Sequence, residues 1–261
     1  MKKPKLIPII LAFLLLLAGC SSGKNAAYSA VALPVYPEAI AFDDYEARNK
    51  VIAENTPDEV FVNALTQFAV SSTGTLLSGT RENQMYSPIS LYYPLALCAV
   101  GAGGETKSQL FSALNMAGFD DKYIAEQSAK LFRFLYTDND VSRLNLANSL
   151  WMEQYSFKED FISTAARDFY ASLYEADFSQ DSTAKEMARW VSENTGGLIS
   201  PEYDFSEDLV LMILNTIYFK DAWSKPFEKQ LTEEDEFTLS DGSTVTADFM
   251  NMTFNRNYID G

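Results

Sequence analysis

The side chains that usually perform acyl-transfer chemistry are scarce in this chain. Its 261 residues contain no histidine, so neither a serine triad nor a cysteine–histidine pair can be assembled from them. Ser182 and Lys185 fit the S-x-x-K pattern of acyl-enzymes, and so do Ser21 and Lys24, but the companion motifs S-D-N and K-T-G do not occur. We therefore predict that the chain is not an enzyme.

The sequence motifs for phosphate and metal binding are also incomplete. The segment GAGGETKS, residues 101–108, nearly spells a phosphate-binding loop, but Thr106 stands where that loop needs glycine, and an apolar helix rather than a strand precedes it. We interpret it as a tight turn between two helices. TDND at 137–140 lacks the glycine and closing glutamate of a calcium loop, and TEEDE at 232–236 is typical of a solvated acidic face. The sequence thus predicts neither a cofactor nor a metal.

Two cysteines are present, Cys20 and Cys98. A single thiol beyond Cys20, with no histidine, excludes a zinc site of the usual Cys/His kind. Cys98 lies in an apolar helical segment, LYYPLALCAVGAGG, which predicts a buried and inert thiol.

One polar residue stands out inside an apolar run. Asn215 is the amide of LVLMILNTIYFKDAW, residues 209–223, which is too short to span a bilayer and has the composition of a strand. A strand that is apolar on both faces is typical of the centre of a sheet covered on both sides. An unbonded amide there would cost about 1–3 kcal/mol, so Asn215 should have hydrogen-bond partners.

The N-terminus has the pattern of an export signal. Lys2, Lys3 and Lys5 are followed by an apolar run over 6–18 and then by Leu-Ala-Gly-Cys, which resembles a bacterial lipobox. This pattern predicts a lipoprotein signal peptide over residues 1–19 and a lipid on Cys20; the alternative is an uncleaved apolar helix. The expected location is the outer face of the bacterial cytoplasmic membrane, with that membrane as a partner. A net charge of −16 gives no electrostatic basis for binding nucleic acid.

The remaining sequence indicates one α+β domain. Residues 20–56 contain no clear periodicity and are predicted to be a tether and an irregular lead-in, while 57–261 form the domain. Helices are expected after Thr56–Glu59, a capping-box pattern, after Ser87–Pro88 with Pro94 inside, after a second box at 106–109, and near 121–136, 158–171 and 183–195. Strands are expected at SRLNLANSLWME, SLYEADF and the 209–223 run, with a hairpin around Asp241–Gly242.

Several of these segments together resemble the serpin family. The stretch MYSPISLYYPLALCAVGAGGETKSQL is followed, in the serpin order, by LNLANSLWM, ADFS, RWVSENTGGLI, LNTIYFKDAWSKPF and FMNM, so that the resemblance covers about 59–252. It implies N-terminal helices packed on a large, mainly antiparallel sheet.

The resemblance also implies roles for four residues. Asn215 would lie in a strand of a sheet that opens to accept a further strand, with its amide meeting Ser87 and Ser90 in a shutter-like polar cluster. The alternative is a pairing that stabilises the fold without any switching. Trp223 matches the tryptophan at the top of that sheet, the breach-like position where an inserting loop enters first; its alternative role is core packing.

The chain departs from the family pattern at several places. Ala188, Gly196 and Leu198 replace the asparagines and lysine usual there, and Pro94 replaces a small helix former. The sequence ends at Gly261, ahead of the family's reactive loop and C-terminal strands. We therefore expect an N-terminal portion of a serpin that contains no reactive-loop residue.

The implied function is protease inhibition by a suicide substrate. Serpins are cleaved by a serine or cysteine protease and trap it as the loop inserts into the sheet. The expected protein is a membrane-anchored serpin whose 261-residue form is inactive. The alternative is a degenerate, non-inhibitory serpin-like lipoprotein that serves as a surface interaction module.

Overall fold

A computed structural model describes residues 30–79, 83–153, 157–206 and 208–253. In these ranges the chain forms a five-stranded sheet, a separate two-stranded hairpin and a set of helices, so the predicted α+β class is confirmed. The α-helices are α1 (Tyr45–Asn55), α2 (Glu59–Leu76), α3 (Pro88–Gly101), α4 (Gly104–Ala113), α5 (Asp121–Leu135), α6 (Glu159–Asp168) and α7 (Asp181–Asn194). The strands are β1 (Ala30–Ala32), β2 (Thr137–Asp138), β3 (Arg143–Met152), β4 (Ala171–Glu175), β5 (Leu211–Lys220), β6 (Thr232–Thr238) and β7 (Thr244–Met250).

Strand β3 organises the large sheet. It pairs in parallel with β4 and antiparallel with β2 and β5, and β1 extends the sheet on the outer side of β4. The sheet is therefore mainly antiparallel, as expected. The β6–β7 pair forms the predicted hairpin around Asp241–Gly242.

Strand β5 lies at the edge of this sheet. In the described ranges it is bonded to β3 alone, although α3 packs against one of its faces and α7 against the other. In the described ranges β5 therefore has a strand on one side only, and its central position stays a prediction. Apolar residues on both faces of a strand indicate that helices cover both faces. They do not indicate how many strands lie beside it in the sheet.

The core lies on both sides of the sheet. The larger cluster joins β3 and β4 to the helices α2, α3, α5 and α6, and it contains Leu146, Leu150 and Met152, which alternate along β3. Trp151 points to the other face and packs in a second cluster with Met187 and Trp190 of α7. Alternate residues of one strand thus close two separate cores.

The N-terminal lead-in is more regular than predicted. Residues 30–55 include β1 and α1, and Arg48 of α1 donates hydrogen bonds to the carbonyls of Phe134 and Tyr136 at 3.0 and 3.4 Å. Helix α1 has little contrast in polarity between its faces, so periodicity did not reveal it. Residues 20–29, including Cys20, lie outside the described ranges.

Helix α1 also explains why the first capping prediction was wrong. The hydroxyl of Thr56 donates to the carbonyl of Ile52 at the end of α1, and Asp58 caps α2 by accepting from the Phe61 N–H at 2.8 Å. Helix α4 has Gly103 as its N-cap and Thr106 in its interior, so the predicted second capping box at 106–109 is wrong as well. The expected turn between two helices lies within the GAGGETKS segment, between the end of α3 at Gly101 and the start of α4 at Gly104.

No helix within the described ranges has both the length and the apolar character needed to cross a bilayer.

Candidate functional site at the open sheet edge

A row of side-chain amides crosses the middle of the large sheet. Asn215 of β5 stands directly opposite Asn148 of β3, and its Nδ2 donates to Asn148 Oδ1 at 2.8 Å. Asn148 Nδ2 in turn donates to the carbonyl of Phe169 at 2.6 Å, just before β4. Asn215 therefore has a partner, as its apolar surroundings required.

One oxygen of this amide pair has no partner within the described ranges. Asn215 Oδ1 is shielded from solvent and has no hydrogen-bond partner among the described residues. Such a buried acceptor costs about 1–3 kcal/mol when it stays unpaired. Because Nδ2 is used toward Asn148, this oxygen is left for a donor from outside the pair.

The main chain at the same place faces outward. The Glu153 N–H donates to the Val210 carbonyl at 3.1 Å, and the β3–β5 register runs without a shift from there to Lys220. In an antiparallel ladder, residues alternate between pairs that exchange hydrogen bonds and pairs that do not. The pair Glu153–Val210 exchanges hydrogen bonds, so the pair Asn148–Asn215, five residues further along β5, does not. The backbone N–H and C=O of Asn215 therefore point away from β3, to the open edge.

The two serines of the predicted polar cluster bond elsewhere. Ser87 caps α3, with its hydroxyl accepting from the Ser90 N–H at 3.3 Å. In the described part of the chain neither serine hydroxyl bonds to Asn215, although α3 packs against β5. The shutter-like cluster of Ser87, Ser90 and Asn215 therefore stays a prediction, and the partner that this structure gives to Asn215 is Asn148.

Sequence reasoning did not select Asn148, but a signal for it existed. Asn148 lies between Leu146 and Leu150 on the face of β3 that points into the larger core, and it is only 1% exposed. A polar residue at an inward position of an alternating strand is the same anomaly that identified Asn215.

Trp223 follows the end of β5 and is largely exposed. Its relative exposure is 72%, and its ring meets that of Phe227 edge-on at 5.8 Å. The alternative role in core packing is therefore wrong. Its breach-like role stays a prediction.

Cys98 is half-buried rather than fully enclosed, and burial raises the pKa of its thiol. It lines a cavity of about 1130 Å³ between α3, α4, α5 and α6. The charged residues around that cavity number four of each sign, and they include the Lys107–Asp121 pair at 2.6 Å. These charges leave no net preference for an anion or a cation.

No group of three or more acidic, cysteine or histidine side chains is placed to hold a metal ion in the ranges that the structure describes.

Comparison with known proteins gives the family of this fold. The family model for serpin (serine protease inhibitor) matches residues 63–260. An uncharacterized serpin-like protein of Methanosarcina acetivorans is 30% identical over 190 residues, which are 70% of this chain and 44% of that protein. Serpin-ZXA of Oryza sativa is 33% identical over 199 residues, 73% of this chain and 50% of the relative. The chain thus spans about half the length of these curated relatives.

Solved structures agree with this comparison. The thermophilic serpin tengpin in its latent state has a TM-score of 0.66 at 27% identity, over 74% of this chain and 52% of that one. An Arabidopsis serpin in its native stressed conformation has a TM-score of 0.63 at 27% identity, over 78% of this chain and 52% of that one. With a family model that covers most of its length, this chain belongs to the serpin family.

Proposed function

We propose that this chain is part of a serpin-type, suicide-substrate inhibitor of serine endopeptidases, held outside the cytoplasm by a lipid on Cys20. Its family supports protease inhibition in general. The observation that supports the finer proposal is the edge of β5, where alternate backbone N–H and C=O groups point away from β3 and no strand pairs with them among the described residues.

Insertion of a strand beside β5 would extend the sheet and complete this edge. The residues of β5 whose N–H and C=O point outward would form the new ladder. In an inhibitor of this class, a protease still acylated to the cleaved loop is carried along by that insertion.

We expect the 261-residue chain by itself to be digested without trapping a protease. Trapping needs a cleavable loop that can become a strand, and the chain spans about half the length of its relatives. The test is incubation with trypsin-like, elastase-like and subtilisin-like proteases, followed by denaturing electrophoresis and titration of the remaining protease activity. A shifted band that resists denaturation, formed by this chain alone, would contradict the expectation.

A version extended through a serpin reactive loop is the matched comparison. It should form such a band and remove protease activity stoichiometrically. If the extended version is also only digested, the non-inhibitory alternative, a serpin-like surface module, is favoured. The exposed hydrophobic residues of the hairpin, among them Phe237 and Met250, would then be the surface to examine for a partner.

A further inference from the structure

The two outer strands of the described sheet are built differently. Strand β1 has only three residues, its register against β4 is irregular, and Pro34 follows it closely in the sequence. Short length, irregular pairing and proline are features that keep an edge strand from pairing with another chain. Strand β5 has ten residues, with no proline and no register shift against β3. Of these two edges, that of β5 is therefore the one suited to a further strand.

The apolar side chains of β5 are incompletely buried. In its neighbour β3 every residue from Leu146 to Met152 is buried, whereas in β5 only Thr216 is. Phe219, near the end of β5, is 69% exposed. Because helices pack against both faces of β5, the open side of the strand explains this exposure. A strand on that side would remove apolar surface from water and would bond to the outward backbone groups.

A second copy of β5 offers the same groups in the reverse direction. The residues whose N–H and C=O point away from β3 are the alternate ones, Leu211, Ile213, Asn215, Ile217 and Phe219. An antiparallel partner must bond to this set. A two-fold axis through Asn215 places Ile213 opposite Ile217 of the second copy, and the next pair outward is Leu211 with Phe219. The edge is thus complementary to itself in this register.

The same register also brings like side chains together. Asn215 stands opposite Asn215 of the second copy, with apolar residues opposite apolar residues on either side of it. A shift by two residues would place each amide opposite an isoleucine instead, and a polar group buried without a partner is costly. At each end Lys220 stands opposite Val210, two residues from the exposed Asp208, so opposite charges come close.

We propose that the 261-residue chain forms a symmetric dimer through β5, in which the two sheets join into one. Side chains of an antiparallel pair lie on the same face, so α3 of both copies covers one face and α7 of both covers the other. The second copy uses the backbone groups that an inserted strand would use. Dimerisation and strand insertion therefore exclude each other, but the dimer does not depend on inhibitory activity.

Disulfide cross-linking at two exposed positions tests the register. Val210 and Lys220 form a non-hydrogen-bonded pair across the proposed interface, with Cα atoms about 4.5 Å apart, which a disulfide can span. The same residue in the two copies is about 34 Å apart. The 261-residue chain is prepared in mild detergent with Cys20→Ala and Cys98→Ala, and its Val210→Cys and Lys220→Cys variants are mixed and oxidised. The mixture should give a disulfide-linked dimer, and neither variant alone should.

A mixture of Val210→Cys with Glu175→Cys is the control for random collision. Glu175 is exposed at the end of β4 and is not part of the proposed interface. This mixture should give no linked dimer on non-reducing electrophoresis. Equal linking in the control mixture, linking of either variant alone, or no linking of Val210→Cys to Lys220→Cys would each overturn the proposed register.

A second measurement needs no introduced thiol. The Phe219 N–H points away from β3, so Phe219→Pro removes a bond of the dimer and leaves the β3–β5 ladder intact. Phe219→Ala, which also removes the ring but keeps the N–H, is the matched control. By sedimentation equilibrium, the proline variant should have a dimer dissociation constant about tenfold or more above that of the alanine variant. Equal constants would contradict backbone pairing, and a parent chain that stays monomeric would overturn the dimer whatever the variants do.

Discussion

At the scale of single residues, the Asn148–Asn215 pair is the most informative feature of the sheet. Both amides are held among apolar side chains, where a hydrogen bond is strong and an unpaired polar atom is costly. Asn148 bonds to Asn215 and to the Phe169 carbonyl, whereas the shielded Asn215 Oδ1 has no hydrogen-bond partner among the described residues. The pair therefore fixes the register of β3 against β5.

Replacement of Asn215 tests this account. Asn215→Ala should lower the free energy of unfolding by about 1–3 kcal/mol, because Asn148 Oδ1 loses its donor while it remains buried. The adjacent Thr216→Val is the matched control, since the Thr216 hydroxyl is buried and has no hydrogen-bond partner among the described residues, and this change should be neutral or stabilising. Urea unfolding of the three proteins gives the comparison. Equal destabilisation by the two changes would contradict a specific role for the amide.

A double-mutant cycle distinguishes the observed pairing from the serine cluster that the family resemblance implied. Because the Ser90 hydroxyl does not bond to Asn215 in this structure, the effects of Ser90→Ala and Asn215→Ala should be additive within about 0.5 kcal/mol. A larger coupling energy would restore the shutter-like cluster of Ser87, Ser90 and Asn215.

At the scale of the elements, the start of α2 depends on one carboxylate. Asp58 accepts from the Phe61 N–H and from the Tyr123 hydroxyl, which lies 2.6 Å away on α5. Burial opposes its ionisation, but the hydrogen bonds from Tyr123 and Phe61 outweigh burial, so the pKa of Asp58 lies below its ordinary value. One side chain thus caps a helix and ties it to a second helix.

The lowered pKa gives this cap a definite pH dependence. A carboxyl group whose pKa is lower in the folded state stabilises the fold above its ordinary pKa of 3.8, and this contribution is lost as the pH falls through the folded value. Asp58→Ala should therefore cost about 0.5–2 kcal/mol at neutral pH. Asp58→Asn keeps the acceptor oxygen without the ionisable group and is the control.

The measurement is urea unfolding at neutral pH and again below pH 3.8. Any advantage of Asp58 over Asp58→Asn should shrink at the lower pH, because the parent carboxylate is then being protonated. A difference between these two proteins that grows on acidification would have the wrong sign and would contradict the assignment.

At the scale of the whole molecule, the N-terminal strand β1 and the edge strand β5 lie on opposite sides of the described sheet. Strand β1 occupies the side next to β4, and β5 the other. A chain anchored through its N-terminus would therefore keep β5 accessible.

Anchoring itself can be tested at Cys20. Cys20→Ala should release the protein from the membrane or block its processing, because the thiol that carries the lipid is removed. Membrane fractionation and the mass of the mature chain measure both effects, and Cys98→Ala is the control that should change neither. Unchanged fractionation and mass in the Cys20 variant would exclude lipidation at that residue.

The sequence alone determined the order and type of most elements, because their signals are local. The alternation of β3, the helical spacing in α7 and the Asp241–Gly242 turn each depend on residues close together in the chain. Helix α1 was missed because it is held by Arg48 and by contacts with α5 rather than by an amphipathic pattern of its own. The capping prediction at Thr56 failed because this residue ends α1, a helix that the sequence did not reveal.

Only the tertiary structure decided the partner of Asn215 and the position of β5. The sequence required a partner for that amide, but Asn148 is 67 residues away, and its selection depends on the register between two strands. The edge position of β5 likewise depends on which strands pair, whereas its apolar faces report only the helices packed over it. Local composition thus determined that the Asn215 amide must be hydrogen-bonded. Long-range strand pairing determined its partner, because a hydrogen bond across a sheet joins residues that can be far apart in the sequence.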